Sequence, residues 1–185
     1  SYLDGNYVFA SSNNSKIVIA YNKDGDLSSI TAEDIYEGSD ASQNYEIHLK
    51  HKTKTGTIYS SVNRTISYQL PTGTQTLVQK VVLTCSTVTD LVTGNRSDGA
   101  WIATGSWSAE TVPEVTGYTP SETSIEAESV NVETPDKAIT VVYTPDVEHV
   151  QVNIIDDTTG KILAEADLTG DYGSSVDFDK PAKSM

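Results

Sequence analysis

The 185-residue sequence predicts a mainly β protein with short helices, of the α+β class. Three observations carry this. Thr, Ser, Val and Ile abound, with 10 Tyr, and such β-branched and aromatic residues suit a pleated, half-buried surface. Gln43–Lys50 alternates, with Tyr45, Ile47 and Leu49 on one face and Glu46, His48 and Lys50 on the other. Turn signals stand between apolar runs at Pro71-Thr72-Gly73 and at Asp157-Thr158-Thr159-Gly160.

The elements follow in order. Tyr7–Ser11 and Lys16–Tyr21 read as short strands, followed by a polar stretch from Asn22 to Ser29. Thr31–Glu37 reads as a two-turn helix, with Thr31 as N-cap, Glu33 and Asp34 in the first turn and Gly38 as stop. Gln43–Lys50 is a half-buried strand, and Lys52–Gly56 looks like a linker. Val62–Leu70 and Leu77–Thr89 form a hairpin around Gly73. Thr93–Gly99 is a turn, and a further strand begins at Trp101. Val130–Glu133 and Ala138–Thr144 are strands, and His149–Asp156 and Ile162–Leu168 form another hairpin. The tail from Asp179 starts a helix, with an Asp cap and an early Pro181. The head, Ser1 to Asn6, reads as a helix end capped by Gly5.

Charge narrows the function classes. The net charge is −14, and the imbalance is uneven: residues 1–109 carry 10 acids and 8 bases, residues 110–185 carry 16 acids and 4 bases. Nucleic-acid binding is disfavoured because phosphates need a basic patch. An anionic membrane surface would repel such a chain. No apolar run approaches the roughly 20 residues that span a bilayer. Ser1–Ala10 has no basic start, so no signal peptide is expected there. The single Cys85 excludes an internal disulfide and reads as a buried, inert thiol.

An internal repeat organises the chain. Arg64–Gly73 and Gln151–Gly160 are both ten residues of strand closing on Thr-Gly, and a second strand follows each. Ala138–Tyr143 closes the unit that opens near Arg64. Asn44–His51 is a similar closing strand without an opening hairpin, and the hairpin at 149–168 has no closing strand. The chain is therefore expected to hold one complete module at 60–145. Flanking it are the back half of a second type of module at 1–55 and the front half of that type at 149–185.

Several of these stretches resemble a known family. Val62-Asn-Arg-Thr-Ile-Ser-Tyr68 resembles the V-T-R-T-I-x-Y opening of the mucus-binding (Mub, or MucBP) repeats of lactic-acid-bacterial adhesins. Tyr45–His51 resembles the family's Y-E-V-H-L-K-H strand. Trp107 with Val112–Pro120 resembles its W…G-Y-T-P segment, Ala138–Thr144 its closing strand, and Asp156–Lys161 with Asp167–Gly170 its D-D-T-T-G-K…D-L-T-G hairpin. The resemblance implies two β-grasp-like domains in an elongated rod. The stretch 60–145 would be a complete B2/MucBP-type domain, and 1–55 and 149–185 halves of B1-type domains, so that one domain is split between the termini. It also implies a non-catalytic adhesion repeat that binds mucin glycoproteins, outside the cell and attached to its wall.

Site candidates are few. The pattern Asn22-x-Asp24-x-Asp26-x-Ser28 with Glu33 matches the ligand spacing of a Ca2+ loop, where hard oxygens converge. Asn22 stands in for Asp, and Leu27 occupies the usual Gly position, so a solvated Asp-Gly turn is the competing reading. Trp101, Trp107 and Tyr118 could stack on sugar faces, although Trp in a small β domain more often anchors the core. His48, His51 and His149 lack metal-ligand spacing, and there is no phosphate loop, nucleophile elbow or other enzyme motif. The sequons at Asn13, Asn63 and Asn95 are short and expected by chance.

The leading expectation is adhesion to mucin glycoproteins, with avidity from many copies on one chain. Two alternatives stand beside it. One is a host-protein module that binds immunoglobulin through a strand edge; the other is a spacer repeat. Neighbouring repeats are expected partners: the hairpin at 149–168 would lie beside strand 44–51 of another copy.

Overall fold

The computed structural model describes residues 1–13, 16–32 and 45–176. They form strands and turns, and no helix occurs among them. The α+β expectation is therefore corrected to all-β for these residues. Thr31 does not cap a helix. It continues a strand whose residues pair with β-branched partners, Val18 with Thr31 and Ile19 with Ile30. The head is a turn and not a helix end. The Ser1 hydroxyl and the Asp4 carboxylate accept the N–H groups of Leu3 and Asn6, competing with helical bonds. The remainder of the expected 31–37 helix and the tail from Asp179 lie outside the described residues.

The strands are β1 (Tyr7–Ser12), β2 (Ile17–Tyr21), β3 (Leu27–Ala32), β4 (Ile47–His51), β5 (Thr53–Leu70), β6 (Gly73–Asp90), β7 (Arg96–Ala103), β8 (Glu110–Thr111), β9 (Tyr118–Pro120), β10 (Ser124–Ile125), β11 (Lys137–Pro145), β12 (Val147–Ile155) and β13 (Ile162–Asp171). The expected linker at 52–56 is instead the start of β5, and Val130–Glu133 is not a strand. One five-stranded sheet has the order β7-β6-β5-β11-β9. Backbone contacts divide the chain into two compact units, Ser1–Ser60 with Leu83–Ile102 and Ser61–Val82 with Ala103–Met185.

In the first unit, β1 pairs antiparallel with β4, and β2 with β3. The His51 ring nitrogen Nδ1 lies 2.7 Å from the Asp90 carboxylate at the end of β6, and Tyr7 packs edge-on against that ring. The other Asp90 oxygen accepts the N–H groups of Val92 and Thr93, and Gly94 closes the turn with φ +75. Asp156 to Gly160 repeats this Asp-x-x-Thr-Gly turn in the second unit, with Gly160 at φ +72. Glycine takes the left-handed region without the Cβ penalty, which is why both turns end on it.

Asp90 carries a pH consequence. The hydrogen bond with His51, then those from the turn backbone, hold its carboxyl at about 2. The folded protein therefore binds this proton less tightly than the unfolded chain does. Its contribution to stability is complete above the unfolded aspartate value of about 3.9 and is lost as pH falls to about 2. Asp90→Asn is expected to flatten the decline in melting temperature across that window. An acid-melting series in which the slopes of variant and parent coincide would show that the His51–Asp90 contact adds no acid-dependent stability.

In the second unit, the inward positions alternate along each long strand: Val62, Arg64, Ile66 and Tyr68 on β5, Val141 and Tyr143 on β11. β11 runs parallel to β5, from Lys137 opposite Arg64 to Val142 opposite Gln69. Ile66, Tyr68, Val112, Ile125, Val141 and Tyr143 make one buried cluster. The stretch 104–136 supplies its Val112 and Ile125 without forming a helix. Pro113, Gly117 and Pro120 interrupt it, and its many Thr and Val residues are poor helix formers. The short β8–β10 pair and the bridge between Trp107 and Glu128 hold it instead.

Candidate functional site

The most unusual side chain in the second unit is Arg64, only 1% exposed. Its inward position follows from the strand period, since it stands between Val62 and Ile66 on the buried face of β5. A buried guanidinium is tolerable only if its donors are met. Nε donates to the Gln79 side-chain oxygen at 2.9 Å, Nη1 to the Glu126 carbonyl at 2.8 Å and Nη2 to the Ser108 carbonyl at 2.6 Å. The guanidinium lies 5.5 Å from the ring centre of Trp107, and the Glu128 carboxylate is 4.0 Å from Nη1. Gln79 in turn donates to the Ser108 carbonyl and to Glu110. One arginine thus ties the irregular stretch 104–136 to the sheet at two carbonyls.

Trp107 is fully buried in this arrangement, so its ring offers no face to a ligand. Its indole nitrogen has no hydrogen-bond partner among the described residues. Trp101 is half-buried in β7. Tyr118 is half-buried at the start of β9, and it lines an open cleft of about 520 Å3. Thr116, Thr119 and Thr123 bring hydroxyls to that cleft, and Glu114 and Asp146 bring carboxylates.

The Gly-Tyr-Thr-Pro segment, residues 117–120, forms part of the cleft's lining. Gly117 has φ +77, and a Cβ there would lie 2.2 Å from the Tyr172 ring. Only glycine lets that ring sit where it does. Tyr172 then meets Tyr118 edge-on at 5.8 Å. The Asp146 N–H donates to the Gly117 carbonyl, the Tyr172 N–H donates to the Asp146 carbonyl, and the Thr119 hydroxyl donates to the Asp146 carboxylate at 2.6 Å. Tyr143, paired with Pro120, donates its hydroxyl to the Pro113 carbonyl, and burial pushes that phenol up.

The expected Ca2+ loop occupies the turn between β2 and β3. The Asn22 side-chain oxygen accepts the N–H groups of Asp24 and Asp26, both at 2.9 Å. The Asp26 carboxylate is paired with Lys52. Ser28 lies in β3, and Glu33 lies outside the described residues. Among the described residues, no three His, Cys, Asp or Glu side chains gather as a metal-binding group. Cys85 is buried, and its thiol faces the Gly99 carbonyl at 3.4 Å.

Arg64, Asp146, Glu114 and the threonines of the cleft are not singled out as site residues by the sequence. Arg64 was detectable as a charged residue in an inward register position. Asp146 gave no comparable signal, because its role comes from a joint between segments distant in sequence.

Comparison with known proteins fits this frame. The family model for the Muc B2-like domain matches residues 53–147, which include β5, β6, the Arg64 anchor, the whole lining of the cleft and β11. The crystal structure of Mub-RV is 23% identical, covers 76% of each chain and superposes with a TM-score of 0.54, so it shares the fold. The mucin-binding domain of Spr1345 from Streptococcus pneumoniae is 28% identical over 50% of this chain and 96% of its own, with a TM-score of 0.46. The type 2 repeat of the mucus binding protein MUB from Lactobacillus reuteri is 23% identical, covers 77% of each chain and has a TM-score of 0.44. No curated protein matches. With its matched segment covering half of the chain, this protein belongs to the family of Muc B2-like domains.

Proposed function

We propose that the chain is a non-catalytic adhesion module of an extracellular surface protein, and that it binds mucin-type glycoproteins. The observation that supports this most is the family match over 53–147, which contains the whole lining of the open, hydroxyl- and carboxylate-bearing cleft. Sugars offer flat C–H faces and a fringe of hydroxyls. The half-buried Tyr118 ring suits the first; Glu114, Asp146 and the three threonines suit the second. The cleft is open, so a single contact is weak and repetition along a chain would supply the avidity.

Glu114 and Thr123 side chains can be changed without disturbing the Arg64 anchor. Glu114→Gln with Thr123→Val is expected to lower mucin binding about tenfold, as the loss of about 1.4 kcal/mol would. The melting curve should stay in place. Surface plasmon resonance on immobilised mucin reads the change, and equal binding by parent and variant would remove the cleft from the proposal.

A further inference from the structure

The second unit shows how an opening hairpin meets a closing strand in this chain. The opening strand β5 pairs in parallel with the closing strand β11. The other opening hairpin, β12–β13, turns on the same Thr-Gly pair, and among the described residues its two strands pair only with each other. The other closing strand, β4, pairs only with β1 among the described residues. Among the described residues, one opener and one closer are left, each with an edge that no described strand pairs.

Their faces match. On β12–β13, Val150 stands opposite Leu168, Val152 opposite Ala166 and Ile154 opposite Ala164, all on one face. The other face carries His149, Gln151 and Asn153 opposite Thr169, Asp167 and Glu165. Val150 and Ile154 are 43% and 44% exposed. Val152, Ala164, Ala166 and Leu168 beside them are half-buried, and a two-stranded ribbon with a partly exposed apolar face is marginal in water. On β4 the same split recurs. Ile47 and Leu49 line an apolar cleft of about 220 Å3 with Tyr2 and Ile30, and His48 and Lys50 alternate with them in sequence. The charges are also complementary. Residues 146–176 carry seven acids and one lysine, whereas 45–54 carries Lys50, Lys52 and Lys54 against Glu46.

We propose that β12 of one copy adds in parallel to the edge of β4 opposite β1 in a second copy. The apolar faces then run on together on one side. On the other side, Glu165 and Asp167 of the ribbon share a sheet face with His48 and Lys50. Strand addition of this kind takes its affinity from backbone hydrogen bonds and its specificity from the alternating side chains. Because donor and acceptor surfaces differ, the contact is head-to-tail and propagates beyond a dimer.

Sedimentation velocity on the full chain tests this, from about 10 μM to about 1 mM, where a weak single contact becomes populated. The parent is expected to form dimers and then longer species as concentration rises. Ile154→Lys blocks only the ribbon, and Leu49→Lys blocks only the acceptor. Each variant alone should remain monomeric, and an equimolar mixture should give a dimer and nothing larger. Lys50→Glu leaves both apolar faces intact and should weaken the parent's association severalfold; far-UV circular dichroism checks each fold. A parent that stays monomeric throughout would overturn the proposal. So would Leu49→Lys self-associating like the parent, which would mean that ribbons pack on ribbons.

Discussion

Arg64→Ala is expected to cost about 3–5 kcal/mol, the range for breaking a buried charged network by removing one partner. The loss has identifiable parts. Two carbonyls, on Ser108 and Glu126, are left without their charged donor, and Gln79 loses the Nε–H. Trp107 loses the cation over its ring. At this chain length each kcal/mol moves the melting temperature by roughly 2–4 °C, so a fall of roughly 10 °C is expected. Arg64→Lys should recover little of it, because a point charge on a flexible stem cannot reach three acceptors as a planar fork does. Thermal denaturation of both variants measures this. A shift below about 2 °C would mean that the arginine is not the anchor of 104–136.

Trp107→Ala is expected to cost about 3–5 kcal/mol through the cavity left at a fully buried indole. Trp107→Phe separates packing from polarity. The indole N–H has no partner among the described residues, so phenylalanine gives up no hydrogen bond there and should lose much less. Denaturant unfolding of the pair resolves the difference. If phenylalanine were as damaging as alanine, the indole nitrogen would have to be making a contact that the structure does not show. Mucin binding by the folded Trp107→Phe variant should match the parent, since no part of the ring is exposed.

The strands that declared themselves in the sequence are those with one buried face. β4 and the inner halves of β5, β6 and β11 alternate apolar and polar residues because one side meets a core. β3 was hidden: its Ser28, Ser29 and Thr31 read as loop and cap chemistry, and only pairing with β2 selects the extended form. The first residues of β5, Thr53 to Gly56, were equally opaque, being exposed and polar on both sides. β7 begins at Arg96 within a stretch that reads as a turn, and pairing with β6 again decides the outcome. The cleft was legible in part. Tyr118 and the glycine before it stood out, but the ring that requires Gly117 to lack a side chain comes from Tyr172, more than fifty residues away. Trp107 was a candidate on either reading, and the position of Arg64 on β5 decides that it belongs to the core.

The adhesion proposal is tested most directly by binding of the intact 185-residue chain to purified mucin, before and after enzymatic removal of the glycans, with immunoglobulin as a parallel surface. The account predicts saturable binding to native mucin, a sharp loss after deglycosylation, and competition by released mucin glycans. Binding that survives deglycosylation, or that is seen on immunoglobulin and absent on mucin, would contradict it and favour recognition of a protein through a strand edge.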